Sequence, residues 1–331
     1  MQFIFCSALI VASGSQLSKY GDVIAEKTGL GRAWIGLVLM ASITSLPELI
    51  TGVSSVAIVG APDIALGDIM GSCIYNLAIL AILDVMNGHK PIFFKADKGH
   101  LLSAGFGVAL MGVVLVSIMV GGSFPGLAHV GLYTPVIIVV YLIGVRAVYV
   151  YEKTAIKEFV EEVVEAGHYA DITLKKAWTM YVVNALVIVF AATWLPFVAE
   201  GIAEMTGLGN SFVGTVFVAM TTSLPEVVVS ITAVRIGAQD MAIANMLGSN
   251  MFNVLVLAVD DMFYTAGPLF SHISTNHVVT GIMAVIMTAV VVVGLTYPSD
   301  RKSFGRVGWD SLTLFFLWGL TIYIFYVLSV A

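Results

Sequence analysis

The chain has 331 residues, of which 59% are hydrophobic and only 11% are charged, and its net charge is −6. An ordinary soluble domain carries about 25% charged residues, so this composition excludes a water-soluble globular protein. Apolar stretches of about 20 residues, long enough to cross a bilayer as a helix, recur along the sequence. The sequence therefore predicts an all-α polytopic membrane protein.

Ten transmembrane helices are predicted in chain order. They cover residues 2–18, 33–59, 63–86, 100–121, 129–151, 177–199, 211–236, 240–264, 274–297 and 309–330. The first span lacks the basic residues that precede the apolar stretch of a signal peptide. It also corresponds to the span 177–199 in the second half, so it is predicted to be a true membrane helix. Cys6 and Cys73 lie inside spans, which predicts a packing role for both.

The sequence contains an internal repeat. Residues 22–48 align without gaps to residues 200–226 at an offset of 178, with more than half of the positions identical, including TGLG and TSLPE. After a one-residue deletion, residues 60–76 match residues 237–253 at an offset of 177. Each half then holds five spans, and an odd number of crossings requires the second copy to be inverted. The predicted units are a first five-helix repeat (1–151, motif 41–76), a cytoplasmic linker (152–176) and an inverted second repeat (177–331, motif 219–253).

Basic residues support this orientation, because Lys and Arg accumulate in cytoplasmic loops. With ten spans, all 15 basic residues fall on one side of the membrane. Both termini are then extracytoplasmic, in a multi-pass protein of the plasma (inner) membrane. In the linker, Ile156, Phe159, Val160 and Val163 have helical spacing, which leaves open a short helix on the membrane surface or a plain charged linker.

Each repeat has one glutamate in the middle of an apolar span, Glu48 in TSLPEL and Glu226 in TSLPEV. A charged residue there is costly, so a functional site is the default hypothesis, although a protonated glutamate that serves packing is the alternative. Pro47 and Pro225 lack an amide hydrogen, which frees the backbone carbonyl four residues earlier. Such a carbonyl needs a cation, water or another partner in the membrane, unless the proline only kinks the helix.

The next span of each repeat adds a serine and an asparagine four residues apart, Ser72 with Asn76 and Ser249 with Asn253. Residues at this spacing share one helical face. The two glutamates, the amides, the motif hydroxyls and the freed carbonyls form an all-oxygen set. Calcium binds six to eight oxygen ligands with tolerant geometry, so calcium is the first choice of ion, and sodium or protons could neutralise the same carboxylates.

Three of the other acids on these spans are candidates for a role. Asp68 precedes Ser72 by four residues, on about the same face, and is a possible third carboxylate. Asp84 and Asp261 each follow the repeat asparagine by eight residues. Their place near helix ends predicts solvated side chains, with a role in ion entry as the alternative.

The doubled motif, TSLPE followed by GSxxxN, resembles the paired alpha repeats of the calcium/cation antiporter superfamily, specifically the sodium/calcium exchanger membrane region. This resemblance implies that Glu48 and Glu226 bind calcium and sodium alternately. It implies further ligands from hydroxyl and amide side chains and from backbone carbonyls: Thr44, Ser45, Ser72, Asn76, Thr222, Ser223, Ser249, Asn253, Ala41 and Ala219. It also implies alternating access, with the first and sixth helices sliding over the others.

Two residues depart from the family pattern. Asn253 stands where many sodium/calcium exchangers have aspartate, and asparagine in both repeats is more typical of cation/proton exchangers. Cys73 stands where the second repeat keeps Asn250. The first departure leaves the coupling ion open between sodium and protons.

These observations predict a transporter rather than an enzyme, namely an antiporter that exports Ca²⁺ in exchange for Na⁺. A Ca²⁺/H⁺ antiporter, or one for another divalent cation, is the alternative, and a cation channel is a third hypothesis. An intramembrane hydrolase would need an activating base, and histidines are absent near the motif serines. The sequence has no nucleotide-binding fingerprint, and we expect no cofactor, no nucleic-acid partner and no obligatory protein partner besides the ions and the lipid bilayer.

Overall fold

The computed structural model describes residues 1–28, 44–88, 90–94, 96–121, 126–159, 171–235, 237, 239–302 and 307–330. The described chain is almost wholly helical. Its helices are α1 (Gln2–Thr28), α2 (Leu46–Ser54), α3 (Pro62–Met86), α4 (His100–Val120), α5 (Tyr133–Phe159), α6 (Leu174–Thr206), α7 (Asn210–Val213), α8 (Ala219–Thr222), α9 (Leu224–Arg235), α10 (Gln239–Phe263), α11 (His277–Thr296) and α12 (Trp309–Val330). Shorter elements are π-helical turns at Ser55–Val59 and Gly214–Val218, a 3₁₀ turn at Leu269–Ser271, and strands β1 (Gly126–Leu127) and β2 (Val130–Gly131).

Within the described ranges, seven helices are long and apolar enough to span a membrane, or eight if the bent pair Asn210–Thr222 and Leu224–Arg235 is one span. The chain is therefore a multi-pass membrane protein. The predicted span 33–59 is only partly described, because residues 29–43 lie outside the described chain and the apolar helix that follows covers Leu46–Val59. The helix predicted at 2–18 is longer than expected and reaches Thr28.

The start of the fifth predicted span was wrong. Residues 126–131 form a two-stranded antiparallel hairpin in which Gly126 pairs with Gly131, and the helix begins only at Tyr133. A positive φ of 58° at Ala128 closes the turn. At the other end the helix continues to Phe159, so Ile156 and Phe159 belong to it. Residues 160–170, with Val160 and Val163, lie outside the described part.

The second TSLPE motif breaks a helix, as its proline predicts. Helices α8 and α9 meet at Ser223 with a bend of 43°. Pro225, in the first turn of α9, has no amide hydrogen to continue the bonding pattern of α8. In the first repeat, Ser45 is the N-terminal cap of α2, and Pro47 lies in that helix's first turn. Both motifs thus start a new helix directly before their glutamate.

The core lies between α3 and α10, which carry most of the largest buried cluster. Helix α3 packs very closely on the π-helical turn at Gly214–Val218. A Cβ atom added at Gly67 would lie 2.8 Å from the backbone nitrogen of Thr215, and one added at Gly214 would lie 2.8 Å from the carbonyl oxygen of Ile64. Glycine is therefore needed on both sides of this contact. Helices α1 and α6 pack against each other beside this core.

Polar contacts between the two repeats occur in reciprocal pairs at the repeat offset of 177. His277 Nε2 lies 3.0 Å from Asp63 Oδ1, and His100 Nε2 lies 2.9 Å from Asp240 Oδ1. The same carboxylates accept backbone hydrogen bonds of 2.7 Å each, from the amides of Ser274 and Asp97 respectively. Each repeat therefore contacts the other through equivalent residues.

Asp84 and Asp261, predicted to be solvated, are completely buried. Asp84 accepts hydrogen bonds from the backbone amides of Ile92 (2.8 Å) and Gly308 (2.7 Å). Asp261 accepts the equivalent bonds from Leu269 (2.7 Å) and Gly131 (2.9 Å). The prediction failed because loops distant in sequence fold back over these helix ends and donate to the carboxylates, which fixes the loops in place.

Candidate cation site between the repeats

Glu226 joins the two repeats through hydrogen bonds. Its side chain is completely buried in the first turn of α9. Ser45 of the first repeat donates to Glu226 Oε1 at 3.0 Å, and Ser249 of α10 lies 3.5 Å from the same oxygen. Within the described chain, Glu226 Oε2 accepts no hydrogen bond. One oxygen of this carboxylate is thus oriented by the protein, and the other is free.

The Glu48 carboxylate accepts fewer hydrogen bonds than that of its repeat counterpart, Glu226. It is also completely buried, and neither carboxylate oxygen accepts a hydrogen bond of normal geometry from the described residues. The Ser72 hydroxyl lies beside it, and the carboxylates of Glu226 and Asp68 are close enough to interact electrostatically. Several buried like charges cannot coexist without a proton or cation to neutralise them.

Asp68 belongs to the same group. Thr222 Oγ1 donates to Asp68 Oδ1 at 2.7 Å, and Ser72 Oγ lies 3.4 Å from Thr222 Oγ1. Asp68 Oδ2 is buried and accepts nothing from the described residues. The structure thus brings this third carboxylate, which the sequence offered only as a possibility, to both motifs.

The amide side chains of α3 and α10 also connect the two repeats. Asn76 Nδ2 donates to Asn250 Oδ1 at 3.0 Å, and Asn250 Nδ2 donates to the carbonyl oxygen of Cys73 at 3.1 Å. Asn250 is therefore a positioning residue that the sequence analysis noted only as the counterpart of Cys73. The side-chain amide oxygens (Oδ1) of Asn76 and Asn253 accept no hydrogen bond from the described residues.

The group as a whole holds buried oxygen atoms without a donor in the described chain. They belong to Glu48, Glu226, Asp68, Asn76, Asn253 and Ser223. Buried polar atoms normally have a partner, so such a concentration in an apolar interior is the property of a site for an ion or for water. Among the described residues, no three His, Cys, Asp or Glu side chains are arranged to share one metal ion, so a cation here would need amide and hydroxyl oxygens as well.

The remaining predicted ligands differ in what the structure shows. Thr44 is buried next to the Glu226 carboxylate. The carbonyl oxygen of Ala219 accepts a hydrogen bond of 3.1 Å from the backbone amide of Ser223, so it is occupied. Ala41 lies outside the described residues. Cys6 and Cys73 are buried free thiols, in keeping with their predicted packing role.

Comparison with known proteins extends over most of the chain. The profile of the sodium/calcium exchanger protein family matches residues 1–145 and 176–330. The chain is 27% identical over 294 residues to "Sodium/calcium exchanger MaX1" of Methanosarcina acetivorans, a match that covers 77% of this chain and 80% of the relative. It is 26% identical over 253 residues to "Inner membrane protein YrbG" of Escherichia coli, covering 75% and 74%.

Solved structures share the fold. The sodium-calcium exchanger NCX_Mj superimposes with a TM-score of 0.62 at 20% identity, covering 97% of this chain and 96% of that one. The H⁺/Ca²⁺ exchanger CAX superimposes with a TM-score of 0.70 at 13% identity, covering 99% and 86%. With the family profile matched on both sides of the linker, the chain belongs to the sodium/calcium exchanger protein family.

Proposed function

We propose that the protein is a secondary antiporter that exports Ca²⁺ in exchange for Na⁺ by alternating access. The observation that carries this proposal is the group of buried carboxylate and amide oxygens that lack donors, centred on Glu48 and Glu226. Two carboxylates balance the charge of one calcium ion, and amide and hydroxyl oxygens supply the additional ligands that calcium needs. Family membership supports the same conclusion.

The proposed ligands follow the sequence prediction. Glu48 and Glu226 bind the cation directly. Asp68 contributes a further negative charge beside the cation. The supporting oxygens come from Thr44, Ser45, Ser72, Asn76, Thr222, Ser223, Ser249 and Asn253, and from the backbone carbonyl at Ala41. The backbone carbonyl of Ala219 joins them only if it gives up its hydrogen bond from Ser223.

The proposed architecture is ten membrane spans in two inverted five-helix repeats, 1–151 and 177–331, joined by a cytoplasmic linker. The reciprocal bonds support it, because a contact of residue i with j accompanied by j with i is the rule for a twofold interface. The positions of the basic residues support extracytoplasmic termini in the plasma (inner) membrane.

Helices α1 and α6 are the moving elements in this proposal. They pack along each other and contact the core mainly through apolar and small residues. At the hinge of the second motif, a Cβ atom added at Gly14 of α1 would lie 2.6 Å from Pro225 Cγ. Ser7 of α1 lies 3.1 Å from the hydroxyl of Thr221 in the same motif. A shift of α1 would therefore reach the site through the bent segment that carries Glu226.

Proton coupling is the second candidate. Asn253 supports it, because an amide in place of aspartate removes one negative charge from the site, and fewer sodium ions are then needed to balance the carboxylates. A flux experiment on purified protein in liposomes separates the hypotheses. We expect an outward sodium gradient to drive calcium uptake, and we expect no uptake to be driven by an imposed pH gradient alone. Uptake driven by the pH gradient alone would replace sodium with protons, and uptake that needs neither would indicate a channel.

Asn253→Asp is expected to change the coupling ion dependence more than the calcium dependence. The new carboxylate restores a negative charge among the free oxygens and attracts an additional monovalent cation. We expect the apparent sodium or proton affinity of transport to increase by roughly tenfold, as for about 1.4 kcal/mol of additional interaction. Asn210→Asp, at the partly exposed start of α7, is the control for added charge alone. Unchanged sodium and pH profiles would contradict this prediction.

A further inference from the structure

Asp260 is a second buried acid whose surroundings differ from those of its neighbour. Asp261 accepts four hydrogen bonds, from Gly131, Leu269, Tyr133 and Thr134. Asp260 is equally buried, at 0% exposure, yet neither of its oxygens accepts a hydrogen bond from any described residue. A structural cap does not explain this side chain, so its charge must be neutralised in another way.

Asp260 lies on the helix that carries Asn253, a proposed ligand of the central site. On α10 it follows Asn253 by seven residues, which places both on one helical face about 10 Å apart along the axis. Across from it, α2 presents Gly52, one turn after Glu48. A Cβ atom at Gly52 would lie 2.6 Å from each Asp260 carboxylate oxygen, so only glycine leaves room for the carboxylate.

The position is asymmetric between the repeats. The counterpart of Asp260 at the offset of 177 is Leu83, and the counterpart of Gly52 at the offset of 178 is Ser230. The Ser230 hydroxyl instead accepts a hydrogen bond of 3.1 Å from Asn245. The repeat equivalent of Asp260 is therefore not a carboxylate, and Asp260 is specific to the second repeat.

The chemistry around Asp260 fits a proton and not a metal ion. Calcium requires six to eight oxygen ligands, whereas a proton requires a single oxygen. The residues one turn earlier on α10, Val256 and Leu257, are apolar and buried. Asp260 is thus a carboxylate whose oxygens face the Gly52 backbone and have no hydrogen-bond donor among the described residues.

Among the described residues, no cation on the elements packed against α10 interacts with Asp260, because Arg235 at the end of α9 and Arg146 on α5 are both exposed. The carboxylates that interact with Asp260 electrostatically are Asp68 on α3 and Asp261 on its own helix, both acidic. From α2 and α9 come the site glutamates, Glu48 and Glu226. The ionisable side chains of His100 on α4 and Tyr133 on α5 are hydrogen-bonded to aspartates other than Asp260. His100 contacts Asp240, and Tyr133 donates to Asp261.

We propose that Asp260 is a proton-binding site, separate from the calcium ligands, that sets the pH dependence of calcium binding at the central site. With the proton bound, the side chain is neutral. When the proton leaves, a negative charge appears about two helical turns from Asn253, a proposed ligand of the central cation, and strengthens the binding of that cation. The effect on transport rests on the proposed function, whereas the protonation itself does not.

Infrared spectroscopy of the purified, calcium-saturated protein in lipid tests the protonation directly. Bound calcium keeps Glu48 and Glu226 ionised, so the part of the protonated-acid carbonyl stretch that Asp260→Asn removes reports on Asp260. We expect this band at neutral pH in the unmodified protein, its loss in Asp260→Asn, and its retention in Asp300→Asn, a control in a loop. A band that is unchanged in Asp260→Asn, or one that sodium removes, would overturn the proposal. If calcium does not bind at all, the glutamate bands remain in every variant, but the difference caused by Asp260→Asn is still measurable.

A pH titration of calcium binding tests the consequence. As the pH is raised through the range in which the infrared band of Asp260 disappears, we expect the calcium affinity of the unmodified protein to rise about tenfold more than that of Asp260→Asn, the effect of one added charge at this distance from a divalent ion. Asp300→Asn should follow the unmodified protein. Equal slopes for Asp260→Asn and the unmodified protein would overturn the regulatory role.

Discussion

Replacing Glu48 or Glu226 with glutamine is expected to abolish calcium exchange while the protein stays folded. Glutamine has the shape of glutamate, but it removes one of the two negative charges that face the divalent cation. Loss of one partner from a buried charge pair costs about 3–5 kcal/mol, so calcium affinity should fall at least about a hundredfold. Calorimetric titration with calcium and flux in liposomes measure the two effects.

The folded state should tolerate these substitutions because the glutamates contribute little to it. Neither Glu48 oxygen accepts a hydrogen bond from the described residues, and in Glu226→Gln the side-chain oxygen can still accept from Ser45. Glu204→Gln, at the exposed end of α6, is the matched control and should retain calcium binding. Calcium transport in both site variants at the unmodified rate would refute the assignment of the site, and a large decrease in melting temperature would make the glutamates structural.

Asp261→Asn is expected to destabilise the protein severely, whereas the adjacent Asp260→Asn should not. In Asp261→Asn an amide NH₂ replaces one of two oxygens that accept hydrogen bonds from Gly131, Leu269, Tyr133 and Thr134. Whichever oxygen is replaced, one backbone amide, that of Leu269 or of Gly131, then faces the NH₂ group and loses its acceptor, while the neighbouring hydroxyl has to turn to accept. At about 1–3 kcal/mol for the unsatisfied amide and about 1 kcal/mol for the changed hydroxyl bond, the loss is about 2–4 kcal/mol.

The adjacent position makes a stringent control. Asp260 has the same burial on the same helix, and it accepts no hydrogen bond from the described residues. We expect Asp260→Asn to change stability by less than about 1 kcal/mol. Thermal melting in detergent, compared for both variants, measures the difference. Equal melting temperatures would show that the loops bound by Asp261 are not held by its carboxylate.

Much of the fold was predictable because its signals are local in sequence. Apolar stretches such as 100–121 and 309–330 became helices with nearly the predicted bounds, since hydropathy and helix length suffice in a membrane. The TSLPE motif predicted the bend before Glu226, since proline acts on its own helix. Its recurrence also indicated that Glu48 and Glu226 act together, and the bond from Ser45 to Glu226 joins the two motifs.

What could not be predicted depends on contacts between distant segments. The interpretation of Asp84 and Asp261 as solvated was reasonable for acids near helix ends, and it failed because the amides of Gly308 and Gly131 come from loops far away in sequence. Asp260 was missed because no local feature of the sequence distinguishes it from the adjacent Asp261. Its spacing of seven residues from Asn253 was the available signal.

The reciprocal bonds have an evolutionary consequence. Asp63 contacts His277, and the equivalent Asp240 contacts His100. Each repeat therefore carries one aspartate and one histidine, the two residue types that form these bonds. Two separate copies of an ancestral half-length polypeptide could therefore have associated as a homodimer through these same pairs, before gene duplication and fusion joined them. Lys302, whose ammonium group contacts Asp84, has proline at its counterpart position, Pro125, and is a residue where the fused copies have since diverged.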